Sequence, residues 1–273
     1  MIVRAPATSA NLGPGFDCAA VALDLWNELE VDEGAGVEIA GEGAGELPAD
    51  GTNLALRAYA LVADPAGKRF RFTNRIPLER GLGSSAAAIA LGLAAAAPGA
   101  GTPGFETLLP LGASLEGHAD NLAAALLGGV TLTDGTLAWR VASSLPLAPV
   151  LVVPERRTST GASRAALPDP VPRADAVTSV VHATMLGAGL ASGDASLLAA
   201  SLADRLHEPH RPSPILDELR ANPPAAARGA TLSGSGPSVL VWAEDPDAVA
   251  TELRARFPGE RVLPLAVAAT GAL

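Results

Sequence analysis

The sequence predicts an α+β protein, laid out as two domains or as one large α/β unit. Three observations carry this. At 273 residues the chain exceeds what one hydrophobic core usually holds. Strand-like and helical runs interleave along most of its length. Pro146 and Pro149 offer a passage from one domain to the next, and the half beyond them suits a small α+β domain of packed strands and helices. The expected domains are therefore residues 1–148 and 149–273.

The elements follow in order. Ile2–Ala5 reads as a short strand. Pro6–Asp17, rich in turn formers and small hydroxyl or amide side chains, holds more polar apparatus than a connection needs. Val21–Val31 and Val37–Ala40 suit strands, with Gly34–Gly36 as a turn and Gly41–Gly45 as a flexible loop. Thr52-Asn53 offers an N-cap for a helix over Leu54–Val62, and Arg69–Thr73 alternates charge with phenylalanine as a half-buried strand does. After a glycine-punctuated turn the run Ala86–Ala97 is helical, Pro98–Gly104 is a loop, and Phe105–Leu115 is a helix interrupted by Pro110. Leu122–Leu127 is helical; Val130–Leu132, Leu137–Val141 and Pro149–Val153 are strands. Asp175–Leu190, Ala195–Ala203, Ile215–Ala221 and Asp247–Phe257 are helices, and Val239–Trp242 and Arg261–Val267 are strands. Paired prolines make the segment ending at Pro212 rigid and non-helical, which holds Arg211 in a fixed direction.

Composition removes several function classes. Hydrophobic residues make up 48% and charged residues 18%, as in a globular protein rather than a disordered one. The longest apolar run, Ala86–Ala97, is well short of the ~20 residues that span a bilayer, and the opening residues lack the pattern of a secretory signal, so a cytoplasmic protein is expected. A net charge of −10 disfavours nucleic acid, whose phosphates demand a basic footprint. Cys18 is the single cysteine, which rules out an internal disulfide or a cysteine-rich zinc site. Lys68 is the single lysine and is followed by Arg69, so a Walker A loop is absent.

Pro77–Ala88 is the strongest chemical signal. Gly81 and Gly83 can adopt positive φ and let a ligand approach the main chain, and Ser84 or Ser85 can cap the following helix, whose first amides point outward. A helix terminus alone offers an exposed anion only ~0.3–1 kcal/mol, so a polyphosphate also needs loop amides and a cation. Taken alone, the loop is equally a capped helix after an ordinary turn. Further polar segments are Asn11–Asp17, Glu116–Asn121, Arg156–Arg164 and the second glycine turn, Ala230–Ser238. Singly, Asn11 and Asp17 read as turn stabilisers, Asp120 as a helix cap, His118 as a structural histidine and Arg164 as a surface charge.

Together these segments resemble the three motifs of the GHMP kinases, and most closely those of the homoserine kinase family. Pro6–Asp17 is similar to the first motif, Pro77–Ala87 to the phosphate loop and Leu232–Ser238 to the third motif, while Glu116–Asn121 resembles the family's Glu-Gly-His-Pro-Asp-Asn segment. The likeness runs from residue 2 to about residue 242, in the expected order. Ala119 replaces the usual proline, Glu79 stands where a small residue is common, and the chain is short for the family. A carboxylate facing ATP phosphates would weaken binding, so Glu79 is expected to point outward.

The resemblance implies a two-domain fold, an N-terminal domain like the second domain of ribosomal protein S5 and a ferredoxin-like C-terminal domain, with ligands between them. It implies Mg2+-dependent transfer of the γ-phosphoryl group of ATP to the side-chain hydroxyl of L-homoserine on the way to threonine, by a homodimer. For the nucleotide it points to the backbone of Arg80, Gly81, Leu82, Gly83, Ser84, Ser85 and Ala86, to Asn53 on the adenine side, and to Gly234, Ser235 and Gly236 as support. Glu116 and Ser85 are the implied metal contacts. Asn11, Asp17, His118, Asp120 and Asn121 form the implied amino-acid pocket, with Arg164 and Arg211 binding the carboxylate. Asn11 and Asn121 are expected to orient the hydroxyl, since phosphoryl transfer through a loose transition state depends on positioning more than on a strong base. Rival readings are a GHMP kinase for another small alcohol, such as mevalonate, and a catalytically silent ATP-binding protein on the same fold.

Overall fold

A long hairpin opens the chain: β1 (Ile2–Asn11) turns at residues 12–14 into β2 (Gly15–Glu33). The computed structural model describes residues 1–97 and 104–273, so most of the loop expected over Pro98–Gly104 lies outside the described residues. The segment from Pro6 to Asn11, expected as a polar connection, is strand. Every residue from Ala5 to Asn11 is buried, and a strand covered on both faces accepts small side chains such as Ala7, Thr8, Ser9 and Ala10. Pro6, which has no N–H, sits where the register slips between Pro6 and Ala7.

β4 (Lys68–Asn74) pairs antiparallel with residues 28–33 of β2 and parallel with β3 (Gly36–Gly41). β5 (Val130–Thr133) pairs with residues 19–21 of β2, and β6 (Ala138–Ala142) closes that edge. Against this sheet pack α2 (Ser84–Ala96) and α4 (Asp120–Leu127), with α1 (Leu54–Ala60) and α3 (Phe105–Glu116) outside them. Because α2 is enclosed, it is apolar around its whole circumference, with Ala86, Ile89, Ala90 and Leu93 fully buried. Gly92 lets α1 come close: a Cβ there would lie 2.1 Å from the Ala55 carbonyl oxygen.

The second sheet is antiparallel in the order β10 (Arg261–Pro264), β7 (Ala148–Val153), β9 (Val239–Ala243), β8 (Ala227–Leu232). Its two central strands, β7 and β9, are continuous apolar runs because both of their faces are covered. Val150, Val152, Val239 and Val241 face α8 (Pro214–Ala221) and α9 (Pro246–Arg256) through Leu216, Leu219, Val249 and Leu253. The alternate residues Leu151, Val153, Leu240 and Trp242 join the large core of the first half. That core also takes Leu186 and Leu190 of α6 (Arg173–Ser192) and Leu198 of α7 (Ala195–Ser201). The short helix α5 (Thr160–Ala165) lies between β7 and α6 in the chain.

The last strand stops at Pro264, before the expected Val267. Beyond it the chain returns to the first sheet: Asp24 donates its N–H to Ala266 (2.9 Å) and Ala268 donates to Ala22 (3.0 Å). Among the described residues no helix is long and apolar enough to cross a membrane.

Candidate active site

The glycine turn after β4 is held from both sides before any ligand arrives. Gly81 and Gly83 adopt φ of +72° and +65°, which lets the loop turn its amides toward open space. Gly83 is itself the N-cap of α2 and supplies no side-chain bond, so the serine cap expected from sequence is not formed. The helix begins at Ser84, two residues before the expected Ala86, and Ser84 and Ser85 occupy its first turn, so neither hydroxyl caps it. The Arg80 guanidinium faces away from the loop: it donates to the carbonyls of Pro154 (2.9 Å), Leu78 (2.8 Å) and Glu155 (2.7 Å). Arg80 is thus a brace against the end of β7, with only its backbone available to a ligand. Glu79 is 57% exposed and 3.7 Å from Arg157, and it is also among the residues that line the cavity beside the loop.

The second glycine turn packs directly on the first. Ser233 Oγ donates to the Gly81 carbonyl (2.7 Å), and a Cβ on Gly81 would lie 2.1 Å from the Ser233 carbonyl oxygen. Gly234 accepts Asn11 Nδ2 (2.9 Å), while Asn11 Oδ1 accepts the Asp17 N–H (3.1 Å). Asn11 therefore joins the end of β1 to both the second glycine turn and the start of β2.

Opposite the loop stand the charges expected for an amino acid. Asp17 and Arg164 form a bidentate pair, Nη1 to Oδ2 at 2.9 Å and Nη2 to Oδ1 at 2.6 Å. Each is a little over a third exposed. Arg211 is buried, and its Nη1 donates to the Gly234 carbonyl (3.2 Å). Phe16 lies beneath both cations, with the Arg164 and Arg211 guanidinium carbons 5.7 and 5.4 Å from its ring centre.

The segment after α3 supplies the third wall. Glu116 is the last residue of that helix, and its Oε2 is buried without a hydrogen-bond partner. Burial, set against the favourable His118 and Arg164 charges and reinforced by the Asp120 carboxylate, pushes its pKa up to about 7. His118 Nδ1 is 3.3 Å from Asp120 Oδ1, and that contact holds the imidazole above its usual range. Asp120 Oδ1 also accepts the Asn121 N–H (2.8 Å). Asn121 is turned by Thr8, whose hydroxyl donates to Asn121 Oδ1 (2.7 Å).

These parts enclose one cavity of 280 Å3 lined by Ser84, Glu116, Asn121, Asp17, Arg164 and Arg211 among others. Ser84 and Ser85 also border a second, apolar cavity of 180 Å3, walled by Leu47, Pro48, Phe72 and Leu78. Asn53 lines this second cavity, but its side chain caps α1, accepting the Ala55 N–H (3.0 Å) and donating to Pro48 (2.9 Å). The first turn of α2 thus separates a polar chamber from an apolar one.

Comparison with known proteins agrees with this layout. The family description "GHMP kinases N terminal domain" matches residues 53–129, and "GHMP kinases C terminal" matches residues 188–259. Homoserine kinase of Gloeobacter violaceus is 44% identical over 262 residues, covering 88% of this chain and 86% of that protein. This chain belongs to the homoserine kinase family. The homoserine kinase of Moorella thermoacetica is 39% identical, with 88% and 86% covered. The homoserine kinase structure from Cytophaga hutchinsonii superposes with a TM-score of 0.83 at 27% identity, covering 99% of this chain and 96% of that one. The fold is the two-domain GHMP kinase fold, and the protein is a kinase.

Within that family's motifs, sequence reasoning passed over Thr8, Phe16 and Ser233. Thr8 and Phe16 lie inside the Pro6–Asp17 segment, where a polar or aromatic residue beside Asn11 and Asp17 was the available signal.

Proposed function

We propose that this chain transfers the γ-phosphoryl group of ATP to the side-chain hydroxyl of L-homoserine, giving O-phospho-L-homoserine for threonine synthesis, as a cytoplasmic homodimer. The carrying observation is that an anion-binding helix start and a paired carboxylate and guanidinium line the same 280 Å3 cavity. A free amino acid is the one small alcohol that meets both charges at once. Its ammonium replaces the guanidinium at Asp17, and its carboxylate replaces Asp17 at Arg164 with Arg211 adjoining, so each of the three charged side chains meets a pole of opposite sign. Mevalonate, with a carboxylate and no ammonium, would strand Asp17.

The loop amides of residues 80–86 and the first turn of α2 bind the triphosphate, while the apolar cavity beside Asn53 suits an adenine ring. Asn121 Nδ2, with its oxygen held by Thr8, orients the acceptor hydroxyl. Among the described residues no cluster of three acidic, histidine or cysteine side chains could hold a metal. One carboxylate beside substrate phosphates is nonetheless how magnesium is commonly held, and the partnerless, buried Glu116 Oε2 fits that need. Glu116 and Ser85 would hold Mg2+, which when bound neutralises phosphate charge.

Acceptors that keep only one pole test this. 4-Hydroxybutyrate lacks the ammonium and 3-aminopropanol lacks the carboxylate; each should fall below L-homoserine in kcat/KM by roughly 100-fold or more, because each forfeits one set of charge-assisted hydrogen bonds and with it the positioning of the acceptor hydroxyl. Comparable values for either would contradict recognition of the zwitterion.

A further inference from the structure

The segment joining α7 to α8 is fixed at its ends and sends one side chain across to the β1–β2 turn. Asp204 accepts the N–H groups of Leu206 (3.0 Å), His207 (2.8 Å) and Glu208 (2.8 Å). Glu208 accepts the Leu232 N–H of β8 (2.7 Å) and pairs with Arg220 of α8. From this frame the wholly buried His207 ring reaches Gly13, with Nε2 2.8 Å from the Gly13 carbonyl oxygen. Its Nδ1 is 3.0 Å from Arg211 Nη1. The ring also stacks on Phe16, with centroids 5.1 Å apart and planes 24° from parallel.

These partners define the imidazole without appeal to its acidity. A carbonyl oxygen can only accept, so Nε2 carries the hydrogen; a guanidinium can only donate, so Nδ1 offers its lone pair. We propose that His207 is a positioning residue of the amino-acid subsite: a neutral imidazole that aims Arg211 at the substrate carboxylate and ties it to the turn carrying Asn11, Phe16 and Asp17. This rests on the substrate reading above.

The alternatives available to Arg211 show why a holder is needed. Its Nε is buried without a partner, and Nη1 otherwise has only the 3.2 Å contact to Gly234. Arg164 lies over the same Phe16 ring and repels it. Without an acceptor at Nδ1, Arg211 would be drawn to nearby carboxylates, Asp204 and Asp17 among them. A protonated His207 would present a second positive donor to Arg211. Burial, with Arg211 adding to it against the pull of Asp204, pushes its pKa down to about 4, so the ring is neutral at working pH.

The two bonds can be removed separately. Asparagine carries an oxygen near the Nδ1 position and glutamine an amide near the Nε2 position, so His207→Asn keeps the acceptor for Arg211 and His207→Gln keeps the donor to Gly13. In His207→Leu and His207→Gln the KM for L-homoserine should rise roughly tenfold to a hundredfold. The value of kcat should change by no more than about threefold and the KM for ATP by no more than about twofold. His207→Asn should recover most of the loss, and the asparagine and glutamine pair keeps the comparison open if leucine does not fold. A matching rise in the KM for ATP, or an unchanged KM for L-homoserine, would overturn the assignment. Nitrogen chemical shifts of the imidazole, read at pH 7 without substrate, should report the neutral Nε2–H form; a charged ring or the other tautomer would overturn it too. If the unaltered protein did not turn over L-homoserine, the substrate reading would fail, while the spectrum would still decide whether His207 is the neutral Nε2–H form that accepts from Arg211.

Discussion

Glu116→Gln should lower turnover of L-homoserine by roughly 100- to 1000-fold, the usual cost of removing one group aimed at transition-state charge. The same change should stabilise the metal-free protein at alkaline pH. Burial raises the Glu116 pKa from 4.5 to about 7, so the folded state binds this proton more tightly than the unfolded one. Its favourable contribution is present below about pH 4.5 and is lost as pH rises through about 7. At 1.36 kcal/mol per unit the loss is on the order of 3 kcal/mol. Urea unfolding at pH 5 and pH 8.5 without metal should show that loss in the unaltered protein and not in Glu116→Gln. Added Mg2+ and ATP should restore stability only where the carboxylate remains. Equal turnover, or the same pH dependence in both proteins, would remove Glu116 from the metal role.

Gly81→Ala should be the most damaging change in the phosphate loop. Alanine at φ +72° costs about 1–2 kcal/mol. Its Cβ would also meet the Ser233 carbonyl oxygen at 2.1 Å, and that atom is backbone, so it cannot rotate aside. The loop has to move off the second glycine turn, and a shift near 1 Å at a positioned site costs roughly 100-fold in rate. Gly67→Ala separates the two effects, since Gly67 has φ +74° and nothing within 4 Å of its Cβ. It should show the conformational cost in its unfolding midpoint and keep full turnover. If Gly81→Ala were no worse than Gly67→Ala, contact between the two glycine turns would have no catalytic weight.

Most of the candidate site could be proposed from sequence because its segments are short and contiguous, and together they resemble the GHMP kinase motifs. Gly81, Gly83, Ser84 and Ser85 are adjacent in sequence, and the turn-to-helix change at Ala86 announces itself in composition. Glu116, Asp120 and Asn121 also arrive in one segment. What was not legible depends on contacts that no spacing encodes. The Asp17–Arg164 pair spans 147 positions, and His207 acquires its role only because Gly13 lies 2.8 Å away. A histidine between Asp204 and two prolines was visible, but nothing local distinguished it from a structural one.

Errors in the fold have similar causes. Pro6–Asn11 reads as a turn because proline, threonine, serine and asparagine favour turns in water; burial on both faces reverses that preference, since only small side chains fit there. Neither Ser84 nor Ser85 caps α2, because Gly83, at positive φ, is the N-cap and starts the helix without a side-chain bond. The strand Ala227–Leu232 was hidden by Arg228 and Gly229, and its pairing to β9 shifts register between Ala227 and Gly229.

We propose that this cavity phosphorylates L-homoserine. Coupled measurement of ADP release with Mg-ATP, run against L-homoserine, L-threonine, L-serine and mevalonate, tests it most directly. L-Homoserine should give the highest kcat/KM by a wide margin, with O-phospho-L-homoserine recovered in equal amount to ADP. No turnover of L-homoserine, or a preference for mevalonate, would contradict the account.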